Sequence, residues 1–304
     1  MIPKTKYDKL EGCFLGGAIG DAMGSAYENQ ESEDSDTYDP FPTKNPAKSI
    51  LQITDDTQLT FATIEAIIES AKFTPAILAD HFKRLYEKRN IRGLGASTLK
   101  ALQELEAGGH WSQVGRIGEY AAGNGAAMRI APLSFLEETD RTQIRDISSI
   151  THRNDEAYVG ALCVVIALKE ILNNQWDGST NLLSIISSQI PDSRVKDRIQ
   201  QLETLTDLTE IGSYGNSGYV VDSIPLALAA ANQIRNLDLD TIFNELIEVG
   251  GDTDTNCSIA GQIAGCFVGK SNFSSNLMEK IKSIPEYESL NSTLNKFGAK
   301  LKWL

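Results

Sequence analysis

The sequence predicts an all-α fold, on three observations. Apolar residues recur at three- and four-residue steps along the 304-residue chain, no long alternating strand pattern competes with them, and helix-start signals stand ahead of several of these segments. Thr5-x-x-Asp8 resembles a capping box ahead of Leu10, Cys13, Phe14 and Gly17, which share one helical face. From Asp55 onward, Leu59, Ala62, Ala66, Ile67 and Ser70 keep the same spacing, and Thr74-Pro75 then starts a second helix with an N-cap and a proline at the first helical position. Further helices follow from Leu99, Leu102 and Leu105, and from Ile144, Ile147 and Ile150. The run Asp155–Leu172 is apolar nearly all round, which predicts a central buried helix. Ile224–Ile234, Ile242–Val249 and Ile259–Val268 continue the pattern, and the last carries Ala260, Gly261, Ala264 and Gly265, small enough for close helix packing. No domain boundary and no fixed-period repeat interrupts this, so one domain over residues 1–304 is expected. Residues 29–49, crowded with Glu, Asp, Ser, Thr and Pro, read as an exposed, mobile acidic loop able to act as a lid.

Composition narrows the function. With 28 Lys plus Arg against 41 Asp plus Glu, the net charge of −13 repels phosphate backbones, so no nucleic-acid groove is expected, although a single phosphorylated ligand in a local pocket is compatible. The longest apolar runs fall short of the roughly 18 to 20 residues that span a bilayer, and no membrane association is expected. Glu11 and Asp21 bracket the short apolar run near the start and no cleavage pattern follows, so no signal peptide is expected. Cys13, Cys163, Cys257 and Cys266 are widely spaced without a CxxC pair, which fits reduced thiols and a cytoplasmic location. His81, His110 and His152 lack the spacing of a zinc site.

Two clusters each place several oxygen donors immediately ahead of a helix: Thr54-Asp55-Asp56-Thr57 and Gly250-Gly251-Asp252-Thr253-Asp254-Thr255. Carboxylates and hydroxyls suit hard cations, and neighbouring carboxylates in one cleft repel unless a cation or proton compensates them. The competing explanation is that these residues only cap helices. The glycine pair before Asp252 makes a plain cap a less complete account, and the spacing of about two hundred residues leaves open whether the clusters meet. Three further segments are rich in small residues: Gly16–Glu28, Arg92–Thr98 and Gly123–Arg129. Close packing or a simple turn explains each of them, except that Asp21 and Glu28 remain over; backbone amides reaching phosphate oxygens at the start of a helix are the alternative for the last two.

Taken together, GDAMGSAYE at Gly20–Glu28, TDDTQL at Thr54–Leu59, GNGAAMR at Gly123–Arg129, THRNDEA at Thr151–Ala157 and GGDTDTN at Gly250–Asn256 resemble the ADP-ribosylglycohydrolase family, over roughly Lys9 to Gly269. The resemblance implies a compact, orthogonal all-α helical domain with two divalent cations, Mg²⁺ first and Mn²⁺ second, in a central cleft. By that resemblance Thr54, Asp55 and Asp56 match one set of metal ligands, and Asp252, Asp254 and Thr255 the other. The implied reaction is hydrolytic removal of ADP-ribose from a modified protein side chain, with ADP-ribose as product and the ADP-ribosylated protein as partner. The ribose hydroxyls beside the bond to be broken are held by the cations, and carboxylates do the proton work. Asp56, polarising the attacking water, and Glu28, as a base or gate beside the acidic loop, are the two candidate catalytic residues.

The same resemblance implies that Gly123, Asn124 and Gly125 cradle the diphosphate and that Gly95, Ala96 and Ser97 line a second loop of the cleft. It assigns His152 to substrate contact and Gly215–Ser223 to the far wall. One departure bears on the acceptor. Some arginine-specific relatives begin the second loop with an aspartate, in a motif like Asp-x-Gly-x-Thr, where this chain has Gly93-Leu94-Gly95-Ala96-Ser97. Glu28 then fits relatives that use a loop glutamate, some of which act on serine-linked ADP-ribose. Arginine-linked ADP-ribose is slightly favoured. A catalytically silent ADP-ribose-binding protein and a two-metal phosphoesterase cutting the pyrophosphate are the competing expectations.

Overall fold

The computed structural model describes residues 4–28 and 51–304; the acidic segment expected to form a lid lies outside them. The described chain is helical, as the periodicity predicts. In order it forms α1 (Lys6–Gly24), α2 (Asp55–Glu69), α3 (Pro75–Glu87), α4 (Ala96–Glu106), α5 (Arg141–Ser149), α6 (Asp155–Leu172) and α7 (Leu182–Ser187). The second half adds α8 (Arg194–Leu202), α9 (Leu208–Gly212), α10 (Val220–Asn232), α11 (Leu239–Val249), α12 (Thr253–Val268), α13 (Ser275–Ser283) and α14 (Tyr287–Lys300). The strand content among the described residues is one two-residue parallel pair, β1 (Arg116–Ile117) with β2 (His152–Arg153), in the register Arg116 to His152.

Local chemistry starts the helices where the sequence places them. Thr5 accepts the Asp8 amide at 3.0 Å, and Thr74 accepts from Ile77 one residue ahead of the Pro75 turn. Asn154 caps α6, whose buried residues run from Ala157 to Ile171 on nearly every face. The short amphipathic helices α7, α8, α9, α13 and α14 add to those read from the sequence.

The central packing is α1 against α12. Gly12, Gly16, Gly20 and Gly24 recur every four residues on α1 and face the Gly265, Gly261, Cys257 and Thr253 carbonyls of an antiparallel α12. A Cβ built on any of these α1 glycines falls 2.3 to 2.4 Å from a carbonyl oxygen of α12, so the backbones touch with no room for a side chain. This contact sets the site: α1 carries Asp21 and runs out toward Glu28, while α12 begins with Asp254 and Thr255. Phe14 extends the core on another side, with ring centres 5.2 Å from Phe135 and 6.1 Å from Phe297 of α14.

Candidate active site

Asp21 builds the first half of the site. It is fully buried on α1 and accepts from the Thr54 amide (2.9 Å), the Thr54 hydroxyl (2.8 Å), the Thr57 amide (3.2 Å) and the Thr57 hydroxyl (2.5 Å). These bonds anchor the first turn of α2 and aim Asp55 and Asp56 inward. The sequence marks Asp21 as unexplained by packing; its partners lie 33 and 36 residues away, beyond the reach of local spacing. The loop before α4 closes over the same turn, through the Asp55 amide donating to the Arg92 carbonyl at 2.7 Å.

The second half rests on Gly250 and Gly251, whose φ angles of 75° and 79° turn the chain sharply out of α11. Asp252 then stands at the N-cap of α12, but its side chain makes no capping bond. It accepts instead from Asn124 Nδ2 at 2.6 Å, across 128 residues. Asp254 Oδ1 accepts from the Thr255 amide at 2.7 Å. Helix capping accounts for Thr54, which accepts from the Asp56 amide at 3.4 Å, and fails for Asp252.

The two clusters meet. Thr255 Oγ1 donates to Asp56 Oδ2 at 3.0 Å, linking positions 199 residues apart. Asp56 is 1% exposed, and its other oxygen, Oδ1, has no hydrogen-bond partner among the described residues. One oxygen each of Glu28, Asp252 and Asp254 lie within 4.8 Å of one another. Asp21, Asp55, Asp56, Asp252, Asp254 and Glu28 make no ion pair with any Lys, Arg or His among the described residues. Burial first, then the Asp254 charge, pushes Asp252 up to about 8 and raises Asp55, Asp56 and Glu28. An oxygen-only donor set with uncompensated charge and an orphaned buried carboxylate oxygen fits hard divalent cations.

These groups open onto a cleft of about 670 Å³. Of the residues singled out in the sequence, Glu28, Asp55, Gly95, Ala96, Ser97, Gly123, Asn124, Gly125, His152, Asp252, Asp254 and Thr255 all line it. Thr54 and Asp56 stand behind the wall, both buried. The far wall holds Asn216, Ser217 and Gly218 from the segment expected there. Gly218 is tied to the glycine loop through the Asn124 amide, which donates to its carbonyl at 3.0 Å. Gly95 opens α4 as read from sequence, whereas Asn124–Ala126 forms a single 3-10 turn in place of a following α-helix. Two residues of those segments complete the frame: Asn216, whose carbonyl accepts from the Asp252 amide (2.9 Å) and Asn256 Nδ2 (3.1 Å), and Arg129, which is wholly buried. What the sequence does not show is the bonding of Asn216 to Asp252 and Asn256, which are distant along the chain.

His152 is buried at the cleft wall, with Nδ1 2.7 Å from Thr151 Oγ1. Burial, followed by the Arg129 and Arg116 charges, pushes it down to about 3, so the ring is neutral near pH 7.

The sequence profile of the family described as ADP-ribosylglycohydrolase matches residues 2–301. The chain belongs to the ADP-ribosylglycohydrolase family. It is 24% identical to human ADP-ribosylhydrolase ARH3 over 342 residues, covering 95% of this chain and 93% of that protein. It is 26% identical to the ADP-ribosylarginine hydrolase Tri1 of Pseudomonas putida over 292 residues, covering 92% of this chain and 76% of that one. A solved structure titled ADP-ribosylglycohydrolase-related protein complex superposes with a TM-score of 0.73 at 22% identity, over 98% of this chain and 99% of that one, which fixes the fold. Membership of the ADP-ribosylglycohydrolase family makes this chain a glycosidase-type hydrolase. Among the described residues, no helix is long and apolar enough to cross a membrane.

Proposed function

We propose that this ADP-ribosylglycohydrolase releases ADP-ribose from modified protein side chains with the help of two divalent cations, Mg²⁺ or Mn²⁺. The observation that carries the reading is the convergence of two acidic clusters, 199 residues apart, on one cleft that has, among the described residues, an unpaired buried carboxylate oxygen and no ion-pairing base. Thr54, Asp55 and Asp56 would hold one cation, and Asp252, Asp254 and Thr255 the other, with Glu28 beside Asp252 and Asp254. When bound, paired cations supply Lewis-acid charge that orients the ribose hydroxyls and makes water easier to deprotonate.

The chain's own residues do the rest. Gly123 to Gly125 offer a cradle for the diphosphate, Gly95 to Ser97 line the same cleft, and His152 contacts the nucleotide. Asn124 bridges the cradle to Asp252, so substrate position and carboxylate position are coupled by one 2.6 Å bond. Water attacks C1 of the ribose as the bond to the side chain breaks; one proton leaves the water and one reaches the departing side chain. Glu28 lines the cleft and Asp56 does not, which supports Glu28 as the base and Asp56 as the residue polarising the water from behind. Arginine-linked ADP-ribose is slightly favoured as substrate, on the likeness to an arginine-specific relative, although glycine replaces the loop aspartate at Gly93.

Glu28→Gln is expected to lower kcat by roughly 10²-fold, the usual worth of a general base, with KM changed less than about threefold. Steady-state kinetics with saturating Mg²⁺ measures both. Unchanged kcat would remove Glu28 from the proton transfer.

A further inference from the structure

Arg129 is the largest fully buried charged side chain among the described residues, and nothing in the proposed reaction uses it. It is 0% exposed, forms no ion pair among the described residues, and its guanidinium lies 5.2 Å from the centre of the Phe82 ring. A buried cation without a direct ion pair is costly, so its hydrogen bonds are the place to look for its role. There are two. NH1 donates to the carbonyl of Gly125 in the glycine loop, and NH2 donates to Thr151 Oγ1 at 2.7 Å.

The second bond decides the state of the adjacent imidazole. Thr151 is buried, and its hydroxyl has two partners among the described residues, Arg129 NH2 and His152 Nδ1, the latter at 2.7 Å. A guanidinium can only donate, so the threonine oxygen accepts there; were Nδ1 to donate as well, the buried hydroxyl hydrogen would have no acceptor among the described residues, so that hydrogen goes to His152 Nδ1. Nδ1 is then an acceptor and the ring proton sits on Nε2. That nitrogen faces the glycine loop: it lies 3.1 Å from where a Cβ of Gly123 would stand, and His152 lines the cleft.

We propose that Arg129 and Thr151 are positioning residues that lock His152 in the Nε2–H form, so that it presents a fixed hydrogen-bond donor to an acceptor oxygen of the bound nucleotide. The same guanidinium holds the loop carbonyl back through Gly125, so the donor and the cradle are set by one side chain. An acceptor-rich group such as a diphosphate matches this arrangement, and a second donor does not. The donor's target rests on the ADP-ribose reading above; the locked tautomer does not.

Long-range ¹⁵N–¹H correlation spectra of the uniformly ¹⁵N-labelled full chain separate the two. Only His81, His110 and His152 contribute imidazole signals, and His152→Gln identifies the third. The expected result is a His152 ring with a pyridine-type, hydrogen-bonded Nδ1 and a protonated Nε2, unchanged between pH 8 and pH 5. A protonated Nδ1, or an imidazolium at pH 5, overturns the relay. Added ADP-ribose is expected to move the Nε2–H proton downfield; binding without that shift overturns the donor role. Failure of ADP-ribose to bind at all overturns the donor role together with the functional reading, while the free-protein spectrum still judges the tautomer. Thr151→Val should weaken ADP-ribose binding about tenfold and shift Nδ1 to the position of an unbonded pyridine-type nitrogen. Thr151→Ser, which keeps the hydroxyl, should stay within about threefold of wild type with Nδ1 unmoved. Equal affinity in the valine variant, or an unshifted Nδ1, contradicts the proposal.

Discussion

Changing Asp252 and Asp254 together to asparagine lowers ADP-ribose release by about 10³-fold or more, equivalent to roughly 4 kcal/mol of barrier, and raises the melting temperature of the cation-free chain by a few degrees. The two effects have one cause. Both carboxylates sit in a cluster without an ion-pairing base among the described residues, and burial with the neighbouring Asp254 charge pushes Asp252 up to about 8, against an ordinary value near 3.9. Between those values the folded chain holds a proton that the unfolded chain releases. The destabilisation is therefore absent below about pH 4, grows as pH rises, and is complete above about pH 8. Wild type stripped of divalent cations should melt at a lower temperature at pH 8 than at pH 5, and the double variant should flatten that dependence. Added Mg²⁺ or Mn²⁺ should restore the wild type at pH 8 and leave the variant unmoved. Calorimetry at the two pH values, with and without the cation, checks each arm. A variant that keeps turnover, or melts below wild type at pH 8, contradicts the assignment.

Gly16→Val is expected to cost at least about 3 kcal/mol, as overpacking between rigid backbones does. The first new carbon would sit 2.4 Å from the Gly261 carbonyl oxygen and 3.2 Å from the Gly265 Cα, both backbone atoms with no free rotation to yield. A drop in melting temperature of roughly 6 °C or more follows for a chain of this size. Because α1 holds Asp21 and α12 holds Asp254, cation affinity should fall with stability. Gly95→Ala is the control for the measurement, since a Cβ there meets nothing within 4 Å, and its melting temperature should stay close to wild type. Equal stability of Gly16→Val and wild type would show that the two helices do not touch as described.

Much of this architecture is legible residue by residue. Asp155–Leu172 reads as a buried helix because apolar side chains cover its whole circumference, and α6 has those bounds. Thr5 and Thr74 read as caps because a hydroxyl ahead of an apolar run has few other uses there, and both caps form. The two acidic clusters are visible as donor types at close spacing. Their meeting is not, because the Thr255 to Asp56 bond depends on how α1 and α12 pack, and both helices show only a surplus of small residues in one dimension. The same limit hides the role of Asp21, the bond from Asn124 to Asp252, and the partners of Asn216. The short amphipathic helices α8 and α13, nine residues each, are not read from the sequence, although Val195, Ile199 and Leu202 of α8 keep the kind of spacing that reveals the equally short α5. The β1 and β2 pair rests on two residues each, held by the register beside His152 and carrying no alternating pattern.

The most direct test offers arginine-linked and serine-linked ADP-ribosyl peptides, side by side, to the wild-type chain with Mg²⁺ and with Mn²⁺, and separates the products by chromatography, with chelator and the Asp252→Asn, Asp254→Asn variant as controls. Intact ADP-ribose is expected, released from the arginine-linked peptide faster than from the serine-linked one and lost in both controls. Binding of ADP-ribose without release from either peptide, or AMP as the product, would contradict it, the first in favour of a binding protein and the second in favour of a phosphoesterase.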